Sequence, residues 1–289
     1  MYEKLSFCPS CKNTQFTNHI ICADHSVSEE SFALVKCTKC ELIFTNPRPD
    51  KDSISTYYKS DQYISHTDQG NSIINKIYKI VRNYTTKQKI ALLKKHAVSN
   101  TLLDYGCGTG FFLKQAAISG FKAIGYEPDN DARAIAIRNG GHLITELNPT
   151  EKVGIITAWH VLEHVHDMQE TLSSFTKMLE KEGTMIVALP NIHSYDASFY
   201  KEHWAAYDVP RHLYHFTKES FGKLVAKHKL KIVDTLPMKF DAYYVSLLSE
   251  QYKTGKTNYF NAFKIARKSN KEAMTTGQYS SLIYVLKKS

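Results

Sequence analysis

The stretch Thr101 to Phe111, TLLDYGCGTGF, constrains this chain more than any other. Thr101, Leu102 and Leu103 form a short apolar run suited to a buried parallel strand, and Asp104 ends it. Glycines at 106, 108 and 110 let the backbone turn sharply and approach a ligand closely, while a helix behind them opens its free N–H groups toward it. A dinucleotide fingerprint would continue G-x-G-x-x-G, but Phe111 holds the sixth position. An acid stands on the strand instead, giving D-x-G-x-G-x-G. Such a carboxylate repels a pyrophosphate and suits a cationic ligand. A second strand, Lys122 to Tyr126, ends in Glu127, where nucleotide folds place the acid that grips ribose hydroxyls.

On Asp104, the three glycines and Glu127, the chain resembles the class I S-adenosylmethionine-dependent methyltransferases. The resemblance implies a Rossmann-like α/β fold with a seven-stranded sheet whose last strand is antiparallel. It also implies a donor site made by Asp104, Gly106, Cys107, Gly108, Gly110, Glu127 and Pro128, with Trp159 and His160 as its wall. The alternation after Glu127 agrees with that fold. Asp129 starts a helix that Gly140-Gly141 stops, and strands are expected at His142–Thr145 and Val153–Ala158. Asp167-Met-Gln-Glu170 reads as a capping box for a helix through Leu179. Strands follow at Gly183–Leu189 and Leu230–Leu236, a helix at Thr217–His228 between them, and Ser281–Leu286 as the antiparallel strand.

Six cysteines, five of them in the first forty residues, would suggest disulfides in a secreted chain, but the N-terminus carries no secretory pattern. Metal binding is the better reading. Cys8-Pro-Ser-Cys11 and Cys37-Thr-Lys-Cys40 are two C-x-x-C knuckles able to close one tetrahedral, structural zinc site. A rival set, Cys8, Cys11, Cys22 and His25, would resemble the zinc module of certain ribosomal-RNA guanine methyltransferases. We read residues 1–50 as a zinc ribbon ending in a proline-punctuated linker, 51–97 as a helical cap, and 98–289 as the methyltransferase domain. Tyr57, Tyr58 and Tyr63 sit in a stretch that reads as too polar for core, and Asn71–His96 as one or two helices capping the donor cleft, their basic residues either a solvated face or one that binds phosphates, RNA or an acidic glycan.

Seven of the 13 histidines lie between 160 and 215. Trp159-His160-Val-Leu-Glu163-His164 resembles the post-fourth-strand motif of the ubiquinone-type O-methyltransferases. Some of these use a divalent cation beside a further acid three positions before the Glu. Here that position is His160, which puts a metal in doubt. Asp208-Val-Pro-Arg211-His212-Leu-Tyr-His215 resembles a segment that follows the fifth strand in this broad group. A histidine suits proton removal near neutral pH, so His212 or His215 is expected as the base and His164 as the reserve. Arg211 could hold an anionic acceptor group.

The net charge of 37 − 28 = +9 favours anionic partners without choosing among them. The leading expectation is methyl transfer from S-adenosylmethionine to a small-molecule or saccharide acceptor, in the cytoplasm, with no membrane span. The alternatives are an RNA methyltransferase that uses the ribbon, the basic helix and the acid-free stretch Gln251–Lys271, and a non-catalytic donor-binding sensor.

Overall fold

The computed structural model describes residues 1–58 and 73–289, the side chains of 73–78 excepted; Tyr63 and the first apolar positions of the basic helix lie outside that description. The N-terminal strands are β1 (Tyr2–Glu3), β2 (Phe16–Ala23), β3 (Ser31–Cys37), β4 (Ile43–Thr45) and β5 (Arg48–Pro49). One helix, α1 (Ile73–His96), leads into the α/β body. There β6 (Thr101–Tyr105), α2 (Phe111–Ile118), β7 (Lys122–Tyr126), α3 (Asn130–Arg138) and β8 (His142–Ile144) follow in turn. Then come β9 (Val153–Trp159), α4 (Met168–Met178), β10 (Leu179–Pro190), α5 (Tyr195–Tyr200), β11 (Tyr214–His215) and α6 (Lys218–Ala226). The chain closes with β12 (Leu230–Pro237), α7 (Asp241–Thr254), α8 (Tyr259–Thr276) and β13 (Ser281–Lys288).

The large sheet has the order β12-β13-β10-β9-β6-β7-β8, and β13 runs antiparallel to both its neighbours. This is the expected Rossmann-like class, with a helical pair, α7 and α8, inserted before the last strand. The order reverses between β6 and β9, so a crevice opens beyond the C-terminal ends of these two strands. Both are buried almost throughout, as strands covered by helices on two faces must be.

The ribbon is stitched into this body. Its sheet has the order β11-β4-β3-β2, so a strand from the segment after β10 completes it: Tyr214 pairs with Phe44, and His215 with Ile43. Phe44, Leu42 and Cys8 share one core cluster with Leu213, Phe216 and Tyr284. Packing and strand pairing therefore continue across residue 50.

Three local expectations need correction. Tyr57 is buried: its ring meets Phe32 edge-on at 5.8 Å, and its hydroxyl donates to Glu30 at 2.6 Å. Asp167 stands at the start of α4 without capping it, because its carboxylate pairs with Lys51 instead. The helix also ends one residue early, at Met178, and β10 starts at Leu179 with a register shift before Thr184. Asp129 does cap α3, accepting from the Ala132 N–H at 2.8 Å.

Candidate active site

Two neighbouring groups of side chains meet where β6 and β9 end. The first surrounds the glycine turn. Gly106, Gly108 and Gly110 all have positive φ. A Cβ on Gly106 would stand 2.5 Å from the Val161 side chain, so that position needs glycine on two counts. Gly108 donates its N–H to Glu127 Oε2 at 2.8 Å, and Asp129 donates its own to Oε1 at 3.0 Å. Burial raises the Glu127 pKa and these two N–H bonds oppose the rise. Pro128 sits exposed beside it, its carbonyl taken by Arg133, and the buried Cys107 thiol lies in the space a Gly125 side chain would need.

Asp104 is sealed, accepting from the Thr157 hydroxyl at 2.7 Å. Desolvation pushes its carboxyl up to about 7, with Thr157 and Lys89 pulling the other way. Lys89 reaches in from α1 and stands 4.1 Å from the centre of the Trp159 ring, which Phe112 meets edge-on. Arg82, two turns earlier, covers Phe111 at 4.1 Å. The basic helix thus sets Arg82 and Lys89 beside the residues that flank the glycine turn. The buried Trp159 indole N–H meets no acceptor among the described residues.

The second group follows β9. His160 takes a positive φ and bridges two acids, Nδ1 to Glu163 at 3.3 Å and Nε2 to Asp241 of α7 at 3.0 Å. Despite a desolvation that disfavours charge, those two bonds lift its pKa to about 9. A pKa raised on folding adds stability that is complete below the ordinary value near 6.5 and is lost as pH rises toward about 9. Asp241→Asn should therefore lower stability by about 1–2 kcal/mol near neutral pH, a figure discounted because the ring is part-exposed, and by little at high pH. Thermal melts of both proteins across that range check it; a gap that does not close at high pH would sink the assignment.

Glu163 is fully buried. Desolvation would raise its pKa, yet His160 and the other histidines hold it below the usual carboxylate range. Its Oε2 has no partner among the described residues. One ligand-capable atom each of Glu163, His164 and His212 lies within 4.8 Å of the others, and the two rings meet edge-on at 4.5 Å. His212 Nδ1 lies 2.9 Å from the Ala206 carbonyl, and His164 Nδ1 lies 3.1 Å from that of Arg211. A carbonyl only accepts, so both rings carry their proton on Nδ1 when neutral and present a lone pair on Nε2. Burial, with His212 beside it, pushes His164 down to about 4. Tyr58, from the tyrosine-bearing stretch that reads as too polar for core, puts its hydroxyl 3.0 Å from the same Nδ1.

Two other expected site residues are used elsewhere. His215 lies on β11 with Nε2 3.3 Å from the Thr45 hydroxyl of the ribbon, and burial pushes its pKa well down. Arg211 is as buried: Asp208 and Asp24 take its Nη2 at 2.7 and 2.9 Å, and the Tyr57 carbonyl takes Nη1. It clamps the loop to the ribbon, with its charge already matched by two carboxylates and its side chain buried. Asp24 lies 187 residues away in sequence, so no local signal announced it.

The knuckle cysteines converge as their spacing predicts. Cys8 Sγ lies 3.5 Å from Cys40 Sγ, and Cys11 Sγ 3.5 Å from Cys37 Sγ. Sulfur ligands about 2.3 Å from a tetrahedral zinc stand roughly 3.8 Å apart, so the cage is of the right size. Hydrogen bonding between the paired sulfurs lifts Cys8 and lowers Cys40. Cys22 packs elsewhere, and His25 stacks on Tyr252 at 4.5 Å.

A family described as a methyltransferase domain matches residues 78–235, more than half of the chain and all of the geometry from β6 to β10. The chain belongs to that methyltransferase family. Its sheet is the class I, S-adenosylmethionine-dependent one. Among curated relatives, the ubiquinone biosynthesis O-methyltransferase of Rhodopseudomonas palustris (strain TIE-1) is 30% identical over 100 residues, 31% of this chain. The same-named protein of Bradyrhizobium diazoefficiens is 32% identical over 100 residues, again 31% of this chain. The match spans only 40% of the length of either relative. Among solved structures, magnesium protoporphyrin IX methyltransferase from Synechocystis PCC 6803 with bound SAH aligns with a TM-score of 0.55 and 14% identity, over 83% of this methyltransferase chain and 100% of that one. Geranyl diphosphate C-methyltransferase from Streptomyces coelicolor aligns with a TM-score of 0.50 and 13% identity, over 77% of this chain and 86% of that one. At these identities the likeness shows the fold and leaves the acceptor open.

Proposed function

We propose that this protein transfers a methyl group from S-adenosylmethionine to a hydroxyl of a small-molecule or saccharide acceptor. The donor reading rests on Asp104, the glycine turn from Gly106 to Gly110 and Glu127 gathered at the switch point, with Trp159 and His160 beside them. The acceptor reading rests on one observation above all: a buried Glu163 oxygen without a partner among the described residues, on a carboxylate that converges with His164 and His212 to within 4.8 Å. An unpaired buried acceptor calls for a proton donor, and an incoming hydroxyl supplies one.

Methyl transfer is an in-line displacement at a sulfonium carbon: the acceptor oxygen forms the new C–O bond as the C–S bond breaks, and the hydroxyl proton must leave. His164 or His212 takes that proton at Nε2, Glu163 orients the hydroxyl, and His160 holds Glu163 ionised. His215 drops out of this scheme because it faces the ribbon. A general base typically contributes a factor of about 100 to 10,000, so His164→Ala or His212→Ala should slow turnover within that range while donor affinity stays unchanged. Turnover with donor-binding calorimetry tests this; two variants with near-wild-type turnover would leave proximity alone to account for the rate. Glu127→Ala should weaken donor binding by roughly 1–3 kcal/mol, through the lost ribose acceptor and the loosened Gly108 turn.

A second reading has one observation in its favour, the 4.8 Å convergence of Glu163, His164 and His212. Those three groups could hold a divalent cation, which would polarise the acceptor oxygen. Turnover that falls after chelation and returns with magnesium or zinc favours it over the base alone. The relatives' names point to small molecules as acceptors, which favours that class over RNA. For the ribbon we infer one structural zinc held by Cys8, Cys11, Cys37 and Cys40.

A further inference from the structure

The pair α7 and α8, inserted before the last strand, carries a face that neither donor nor acceptor chemistry needs. The inner side of α8 is buried, with Ala262, Ile265, Ala266, Ser269 and Ala273 turned inward. Its outer side breaks the usual pattern of a solvated helix. Phe260 is 83% exposed and Phe263 57% exposed, at a spacing that puts both on one outward stripe. Lys264, Arg267 and Lys271 are exposed on and beside that stripe, and no acid occurs from 251 to 271. The apolar band continues past α8: Phe263 touches Tyr243 at 5.3 Å, and the exposed Phe240 meets the exposed Tyr84 of α1 at 5.8 Å. Phe240 immediately precedes Asp241, the partner of His160, so the band runs to the rim of the cleft.

We propose that the outer face of α8, continued by Phe240 and Tyr84, docks this protein on an anionic phospholipid surface. A helix lying in the interface plane needs this combination: bare aromatic rings to enter the acyl boundary and cations flanking them to meet the phosphates. The charge decides among occupants. A second copy would bring the same cations face to face on a chain of net charge +9. A nucleic acid would satisfy the cations but leave phenyl rings on a convex helix half in water. The surface adds a property to the methyltransferase reading and stands or falls apart from it.

The test is co-sedimentation of the full chain with vesicles of phosphatidylcholine alone and of phosphatidylcholine mixed with phosphatidylglycerol. Binding is expected to the mixed vesicles and to weaken with added salt. Two buried rings give a surface affinity that the double variant Phe260→Asp, Phe263→Asp should lower by about tenfold to a hundredfold. Phe260 is almost bare and Phe263 loses only its contact with Tyr243, so far-UV dichroism should not change and the melting temperature should fall only slightly. The charge variant Lys264→Glu, Arg267→Glu should lose the phosphatidylglycerol preference by a separate route. Failure of the wild type to bind mixed vesicles at low salt overturns the proposal. So does equal binding to phosphatidylcholine alone, undiminished binding by both variants, or tighter binding to RNA than to vesicles.

Discussion

Asp104→Asn should melt at a higher temperature than the wild type at pH 8 and bind no measurable S-adenosylmethionine. Both halves come from the same buried carboxylate. Its folded-state value is raised from 3.8 to about 7, so the folded protein holds this proton more tightly than the unfolded chain does. Stability is then progressively lost as pH rises from about 4 to about 7, and at pH 8 the buried charge costs about 2–4 kcal/mol. Asparagine keeps a hydrogen-bond acceptor for Thr157 and removes that cost. At pH 4 the two proteins should melt together. The donor is a cation, and its arrival supplies the charge that Asp104 lacks, so wild-type affinity should rise with pH up to about 7 and binding should release a proton. Calorimetry in buffers of different ionisation enthalpy reads that proton directly. An Asp104→Asn variant that binds donor as the wild type does would remove Asp104 from the site.

The second large effect is expected from Cys37→Ser. Zinc content should fall from about one per chain to none, with loss of a metal whose binding in small modules is worth about 10–16 kcal/mol. Turnover should fall with it, because the ribbon holds the acceptor loop. Thr45, at the end of β4, donates its hydroxyl to the His212 carbonyl at 2.9 Å and its N–H to the Leu213 carbonyl at 3.0 Å. Leu213 in turn donates its N–H to the Glu163 carbonyl at 2.7 Å. A shift of about 1 Å along that path can cost about a hundredfold in rate. The glycine turn and Glu127 hydrogen-bond within β6, β7 and the helix behind, so donor affinity should change far less. Metal analysis, turnover and donor calorimetry on one preparation separate the three effects; a zinc-free protein with full turnover would show the ribbon to be dispensable.

What could be read from the sequence was carried by short-range chemistry. Gly106 to Gly110 announce a turn because their φ values suit no other residue well, and Asp129 and Thr217 announce helix starts because their caps are local. The knuckle cysteines declare themselves by spacing. The missed features depend on partners far along the chain. Tyr57 looked too polar for a core, yet Phe32 and Glu30 of the ribbon bury it. Arg211 has the chemistry of an anion clamp, but Asp24 of the ribbon takes its guanidinium. Lys89 and Asp241 reach the cleft from two helices far apart in sequence and belong to no motif. Asp167 had the spacing of a cap and was drawn away by Lys51.

The pairing of β4 with β11 bears on how such enzymes can diversify. A block exchanged at residue 50 would hand one protein's ribbon to another's loop and mismatch Thr45 against His212 and Leu213. A workable graft would have to move residues 1–58 together with 195–217, two segments that are far apart in the gene and inseparable in the fold. With the acceptor side placed in this loop as proposed, acceptor preference would be inherited as a discontinuous unit. A chimera joined at residue 50 alone should keep its donor site and lose its acceptor.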